Sequence, residues 1–246
     1  LVGGRKMSSS KGRGSSSREI ADLVPPHIFR LAHLGKDPKQ TIDFVPDGDS
    51  IPLLFDQYDR IAEKYWSGVV DDTTRLFKLV NAVDTTLLEQ RFLPRFSQVA
   101  FLVQMPHLNL KEEAAKIKEG ELTNLDQREL ELRATYARKW LDICAPEDYK
   151  FELQDEVPEA AQNFTDSQKA ALAELLAYIE SNEELNGQEL HTALHRIKEN
   201  STLSPRDLFS AIYLAILDKP SGPKAGWFLS VLPREFLVQR LRSVSQ

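Results

Sequence analysis

The amino-acid sequence predicts an all-α protein made of two helical bundles that follow a basic loop. Apolar residues recur every three or four positions through most of the chain, which is the spacing of one face of a helix. Capping residues and prolines precede several of these stripes, and no segment alternates with the period of two that indicates a strand. With 246 residues, 41% of them hydrophobic and 28% charged, the chain can bury a core in one or two domains.

The first bundle is predicted to begin with three helices. The first follows Pro25-Pro26 and ends at Gly35, because proline suits a first helical turn and glycine follows a last one. The second is predicted over residues 51–66, where large apolar side chains are three or four positions apart and Gly68 ends the pattern. The third follows the aspartates at 71 and 72, whose negative charge suits a helix N-terminus, and its apolar residues are Leu76, Leu79, Val80 and Val83.

Two further helices complete the first bundle. Residues 92–105 are densely apolar, and their length favours a buried helix, although periodicity alone leaves a strand open. Residues 123–126 resemble a capping box, and the helix after them is predicted to end before Pro146. The acidic, irregular residues 147–159 then read as a connection between the bundles.

The second bundle carries clearer helical signals. A capping box at 165–168 precedes one apolar stripe, and a second stripe follows Gly187. Ser204-Pro205 is an N-cap followed by proline at the first helical position, and Pro233 begins the final helix. We therefore assign three domains, which are residues 1–22, 23–160 and 161–246.

Cysteine usage and hydropathy limit the class of protein. Cys144 is the only cysteine, which excludes an intramolecular disulfide and the four-cysteine zinc sites. No run of about 18 apolar residues is present, so a membrane protein is not expected. These features indicate a soluble cytoplasmic protein, and because the chain starts at Leu1 rather than methionine, we expect a C-terminal part of a larger one.

The body of the chain offers little catalytic chemistry. His191 and His195 are four residues apart on a predicted helix, a spacing that can bring two imidazoles to one metal. Thr192 stands where a metalloprotease would have glutamate, and the sequence shows no third ligand. We expect no metal site, and we find no Ser/His/Asp set, P-loop or dinucleotide fingerprint.

Two basic regions remain as candidates for binding anions. Residues 6–12 read Lys-Met-Ser-Ser-Ser-Lys-Gly, which fits either a disordered Gly/Ser-rich tail or a loop that binds a polyphosphate. Near the C-terminus, Arg240 and Arg242 follow Trp227, and such a strip could hold phosphates and stack on RNA bases. The alternative is that the aromatic residues of this region are simply core.

Residues 6–12 resemble the KMSKS signature loop of class I aminoacyl-tRNA synthetases, in the KMSSSKG form of the class I lysyl-tRNA synthetases. The tail, at residues 212–217, 222–229 and 234–236, is similar to the C-terminal end of that family. Residues 42–44 and 51–60 also look like its pattern downstream of the signature loop. The resemblance covers nearly the whole chain and is weakest over residues 106–160.

This resemblance implies a lysine–tRNA ligase that uses ATP with Mg to form lysyl-adenylate and then charges tRNA(Lys). Lys6 and Lys11 would be catalytic, and Ser9 replaces the second lysine of the usual pattern, which makes Lys11 the candidate to supply that charge. The ATP-binding loop would comprise Lys6, Met7, Ser8, Ser9, Ser10 and Lys11.

The resemblance also assigns roles to the helical domains. Residues 23–160 would contact the acceptor-side stem, and residues 161–246 would form a helical cage for the anticodon, with Trp227, Arg240 and Arg242 as tRNA contacts. The nucleotide-binding fold, which takes ATP and lysine, would precede Leu1. We therefore expect the isolated chain to be inactive, to hold no cofactor tightly, and to bind neither DNA nor membranes.

Three other functions are open from the sequence. The chain could be a freestanding tRNA-binding or regulatory module, which a gene that continues upstream would argue against. It could belong to a class I synthetase for glutamate or cysteine, which the identity of the bound tRNA would reveal. It could also be a helical scaffold for protein partners, which tRNA binding at physiological salt would count against.

Overall fold

The computed structural model describes residues 21–35, 48–105 and 107–246, and every regular element within them is helical. The predicted all-α class is therefore confirmed. The loop at 6–12, with Lys6 and Lys11, and the segment 42–44 lie outside the described residues. None of the described helices is both long and apolar enough to cross a membrane.

The chain forms two compact units, which divide between Lys150 and Phe151. The described α-helices of the first unit are α1 (Pro26–Leu34), α2 (Ser50–Trp66), α3 (Asp72–Val80), α4 (Phe96–Leu102), α5 (Leu110–Lys118) and α6 (Asn124–Ile143). Short 3₁₀ helices cover Thr85–Leu88 and Glu147–Tyr149. The second unit contains α7 (Glu159–Gln162), α8 (Asp166–Ser181), α9 (Gly187–Asn200), α10 (Pro205–Leu217), α11 (Ala225–Ser230) and α12 (Arg234–Val244).

The division between the units differs from the sequence-based boundary at 160/161. Residues 151–160, which the sequence grouped with the first domain, belong to the second unit. The Gln154 amide donates a hydrogen bond to the Ile216 carbonyl of α10 at 3.1 Å, and α7 packs on α10. An irregular segment carries no periodicity to show which bundle it joins, so only these contacts decide its place.

The predicted helix starts are confirmed where a capping side chain carries the signal. Thr123 and Asp126 form a complete capping box on α6, and Thr165 and Gln168 form one on α8. The Ser204 side chain accepts from the backbone amide of Asp207 in α10, and Pro205 is the first helical residue. These local hydrogen bonds satisfy amides at the helix start that have no partner within the helix.

Two sequence predictions in the first bundle were wrong in detail. The helix expected over residues 92–105 is shorter, because α4 begins at Phe96 after Pro94, a residue that cannot donate a backbone hydrogen bond. The third predicted helix included Leu79 and Val83 among its apolar residues, yet α3 ends before Val83 and these two side chains are 56% and 82% exposed. The buried face of α3 instead carries Thr74, Phe77 and Val80.

Aromatic side chains form the centre of the first unit. Trp140 of α6 is fully buried, and its ring meets that of Phe96 edge to face at 5.7 Å. Phe96 in turn stacks on Phe55 of α2 at 4.2 Å. Large buried rings contribute much of the hydrophobic stabilisation of a small core, and their contacts hold α2, α4 and α6 together.

Arg133 of α6 is fully buried within this apolar core. Its guanidinium donates to both carboxylate oxygens of Asp59 on α2, to Glu129 at 2.7 Å and to the Pro94 carbonyl at 2.9 Å. Burial opposes the charge of Arg133, but Asp59 and Glu129 outweigh it and raise the pKa of the arginine. The network ties α2, α6 and the segment before α4 into one arrangement.

In the second unit, α8 packs against α9, α10 and α12. Leu172, Leu175 and Ile179 of α8, which the sequence placed on one apolar stripe, are buried. The facing helices contribute buried aliphatic and aromatic residues, which include Leu190, Leu194, Ile212, Phe228, Leu237 and Leu241. The opposite face of α12, which includes Glu235, Gln239 and Arg242, is exposed.

Candidate nucleic-acid interface

Two arginines of α12 contact the C-terminal end of α8. The Arg234 guanidinium donates to the carbonyl oxygens of Asn182 at 3.1 Å and Glu180 at 3.0 Å. Carbonyl groups at a helix C-terminus carry partial negative charge, so a cation is favourable there. Arg242 forms an ion pair with the Glu180 carboxylate, with 2.6 Å between Nη2 and Oε1.

The two arginines differ in what they are available to do. Arg234 is half-buried and bonds to fixed backbone oxygens, which gives it a structural role. The side chains of Arg242 and Glu180 are 59% and 42% exposed, and an exposed ion pair is worth only about 0.2–1 kcal/mol. Arg242 can therefore exchange Glu180 for another anion at little cost.

An open hollow of about 390 Å³ lies along the exposed face of α12. Its lining repeats at helical spacing and consists of Arg234, Glu235, Val238, Gln239, Arg242, Ser243 and Gln246. Amide and hydroxyl groups near a guanidinium are suited to the base edges and phosphates of a single-stranded RNA. Of the sequence-predicted tRNA contacts, Arg242 is the one that lines this hollow.

The structure gives Arg240, the second predicted contact, a different role. Its side chain is only 4% exposed, and the guanidinium donates to the carbonyl oxygens of Ala215 at 2.6 Å and of Gln154. Burial lowers the pKa of Arg240, because it removes water from the charged guanidinium. Arg240 joins α12 to α10 and to the start of the second unit, and we remove it from the candidate tRNA contacts.

Trp227, the third predicted contact, is half-buried where α11 crosses the start of α9. A Cβ placed on Gly187 would lie 3.2 Å from the Trp227 Cα, and one on Gly226 would lie 2.4 Å from the Gly187 carbonyl oxygen. Glycine is required at 226 because the two backbones approach so closely. The structure thus places Trp227 at a helix crossing and leaves part of its surface exposed.

The histidine pair considered for a metal lies side by side on α9. The rings of His191 and His195 meet edge to face with centroids 4.5 Å apart. Within residues 21–35, 48–105 and 107–246, no group of three His, Cys, Asp or Glu side chains could hold a metal ion.

Sequence reasoning missed several residues of the α12 face. Gln239 and Gln246 are three and four positions from Arg242, and Ser243 is four positions from Gln239, so helical spacing alone could have found them. Glu180 is 62 residues away from Arg242 along the chain, and no local signal pairs the two.

Comparison with known families defines the class of protein. Residues 90–245 match the family model described as an anticodon binding domain, which covers more than half of the chain. The chain therefore belongs to the anticodon-binding-domain family. Residues 1–84, which include the basic loop, match the family model of class I (K) tRNA synthetases.

Curated relatives that match the chain are named lysine–tRNA ligases. The chain is 29% identical over 255 residues to the lysine–tRNA ligase of Methanosarcina barkeri, with 97% of the chain and 47% of that protein covered. It is 28% identical over 247 residues to the lysine–tRNA ligase of Pyrococcus horikoshii, with 96% and 46% covered. The resemblance to class I lysyl-tRNA synthetases is confirmed, and the chain spans about half the length of the curated relatives it matches.

Proposed function

We propose that this chain is the tRNA-recognition part of a class I lysine–tRNA ligase and that its second unit binds the anticodon arm of tRNA(Lys). The match of residues 90–245 to an anticodon binding domain carries this proposal, and it includes the whole of α12. The relatives named lysine–tRNA ligase support lysine as the amino acid. Arg242 on the exposed α12 face supplies a cation that can meet RNA phosphate.

We assign to residues 6–12 the contact with ATP. When the carboxylate of the substrate lysine attacks the α-phosphorus of ATP and expels pyrophosphate, charge builds on the phosphates, so a cation that binds them more strongly in the transition state lowers the barrier. Lys6 and Lys11 are the cations of this segment. In a full-length ligase working with ATP and Mg, Lys11→Ala should slow lysine activation with a smaller effect on lysine binding, and an unchanged rate would contradict the assignment.

The same proposal makes the isolated chain catalytically inactive, because the chain spans about half the length of the ligases it matches. The first unit would contact the acceptor-side stem, and tRNA binding would be the function that remains. Like the enzymes of translation, the protein would act in the cytoplasm, with no DNA or membrane partner. Lysine-dependent pyrophosphate exchange by this chain alone would overturn the claim of inactivity.

Binding of the whole chain to a tRNA(Lys) transcript tests the recognition function. The matched ligand is the same transcript with its anticodon uridines changed, and both are measured at two salt concentrations. We expect tight binding that is lost with the anticodon change and that weakens with salt, at a slope of about 0.7 to 0.9 per phosphate contact. Equal binding of both transcripts would contradict anticodon recognition, and preference for a glutamate tRNA would reassign the amino acid.

A further inference from the structure

Arg242, which pairs with Glu180, lines the hollow toward the C-terminal end of α12. Glu235 lines the other end, seven residues away and about 10 Å along the helix. Arg234 lies beside Glu235, but its guanidinium is already bonded to two backbone carbonyls of α8. The end at Arg242 is therefore the better place for an added negative charge.

We propose that this end of the hollow binds one nucleotide of the tRNA, with a phosphate group that displaces the Glu180 carboxylate from Arg242. The proposal rests on the anticodon-binding function above and deepens it to a particular site. Glu180 then pairs with the Arg242 guanidinium in the free protein and competes with RNA phosphate for it.

The chemistry of the two anions supports the exchange. A carboxylate and a phosphate both present oxygens that match the planar fork of arginine, so the Glu180 oxygen occupies a place that a phosphate oxygen can take. The present contact is a single hydrogen bond of 2.6 Å between half-exposed groups, and such pairs are weak. A phosphate that brings two oxygens to Arg242 would form the stronger pair.

The residues beside Arg242 can hold the rest of a nucleotide. Gln239 and Gln246 each carry an amide with both donors and an acceptor, which suits a base edge. Val238 supplies an apolar surface between the two arginines. These side chains share one exposed helix face, so a nucleotide could reach them without rearrangement of the core.

A double-mutant cycle on the whole chain tests the exchange, with tRNA(Lys) as the ligand. Glu180→Gln removes the competing carboxylate and should tighten binding by about three- to five-fold, within the range expected of an exposed pair. Arg242→Gln should weaken binding and reduce the salt slope by about 0.7. In the Arg242→Gln background, Glu180→Gln should lose most of its effect.

Glu184→Gln is the matched control, because it removes the same charge from an exposed position four residues away. It should tighten binding by less than two-fold, and equally in both backgrounds, since it reports only the general repulsion of RNA. Circular dichroism melts should show all five variants folded, because each changed side chain is exposed.

The outcomes separate this site from the proposed function. If the wild-type chain binds tRNA(Lys) with anticodon dependence but Glu180→Gln behaves like Glu184→Gln, the phosphate exchange is wrong and the anticodon-binding function stands. An effect of Glu180→Gln that persists in full without Arg242 also overturns the exchange. If the wild-type chain does not bind tRNA(Lys), the proposed function fails, and this site fails with it.

Discussion

Protonation of His27 should make the first unit sensitive to mild acid. The side chain is 4% exposed, its ring lies 4.9 Å from that of Tyr58, and within the described part of the chain Nε2 has no hydrogen-bond partner. Burial lowers the pKa of His27 to about 4. Glu129 opposes this shift, and the nearby arginines at 30, 91 and 133 add to it.

The sign and size of the effect follow from the two pKa values. The unfolded chain takes up a proton at His27 near pH 6.5, whereas the folded chain resists it until about pH 4. Between these values the unfolded state binds more protons, so stability is full above pH 6.5 and falls as the pH is lowered. From pH 7 to pH 5 the first unit should lose about 2 kcal/mol, and the loss should reach about 3 kcal/mol below pH 4.

Urea unfolding at pH 7 and pH 5 measures this loss. Trp66 and Trp140 belong to the first unit, so tryptophan fluorescence in a Trp227→Phe background reports that unit alone. His27→Phe keeps an aromatic ring beside Tyr58 and removes the titrating group. The control is His107→Gln, which removes an exposed histidine from the same unit.

We expect the parent and His107→Gln to lose about 2 kcal/mol between the two pH values, and His27→Phe to lose much less. If His27→Phe keeps the full pH dependence, then His27 is not its source. A parent protein whose stability is equal at pH 7 and pH 5 would refute the reasoning altogether, because it would mean that burial does not hold His27 neutral.

Three further changes test the packing within the two units. Asp59→Asn removes a charged partner of the buried Arg133 and should destabilise the first unit by about 3–5 kcal/mol in urea unfolding. A cost below about 1 kcal/mol would contradict the importance of the pair. Asp126→Asn should lower the free energy of unfolding by about 1–3 kcal/mol at pH 7, because the Asp126 carboxylate accepts from the Phe92 and Thr123 amides and from Lys118. An unchanged urea midpoint would argue against these bonds. Gly226→Ala forces a Cβ against the Gly187 carbonyl and should lower the melting temperature of the second unit and speed amide exchange in α9, whereas Gly120→Ala, in open space, should leave both unchanged.

Much of the fold could be predicted from local signals. Helix starts at Thr123, Thr165 and Ser204 depend on hydrogen bonds within four residues, and these side chains specify them directly. The relation to class I lysyl-tRNA synthetases also came from short stretches, at 6–12 and 222–229, and the family comparisons confirmed it. Helix α5 was not predicted, because its apolar signal is weak. The helix predicted from residue 92 begins only at Phe96, after Pro94.

The site was only partly predictable, since the function of an arginine depends on what packs around it. Arg240 and Arg242 are two residues apart on one helix, so they lie on different sides of α12. Composition and charge do not distinguish them, yet Arg240 is buried and donates to two carbonyl oxygens, whereas Arg242 is exposed and pairs with Glu180. The partners of both side chains come from segments that are distant in the sequence.

The sequence by itself determined the helical class, the main capped helix starts and the family, because each of these is encoded in residues close together along the chain. Only the tertiary structure decided that Arg133 and His27 are buried, that residues 151–160 join the second unit, and that Arg242 is exposed whereas Arg240 is buried. Burial and electrostatic pairing are set by which helices pack together. That choice is made by contacts across tens of residues, which a local pattern does not contain.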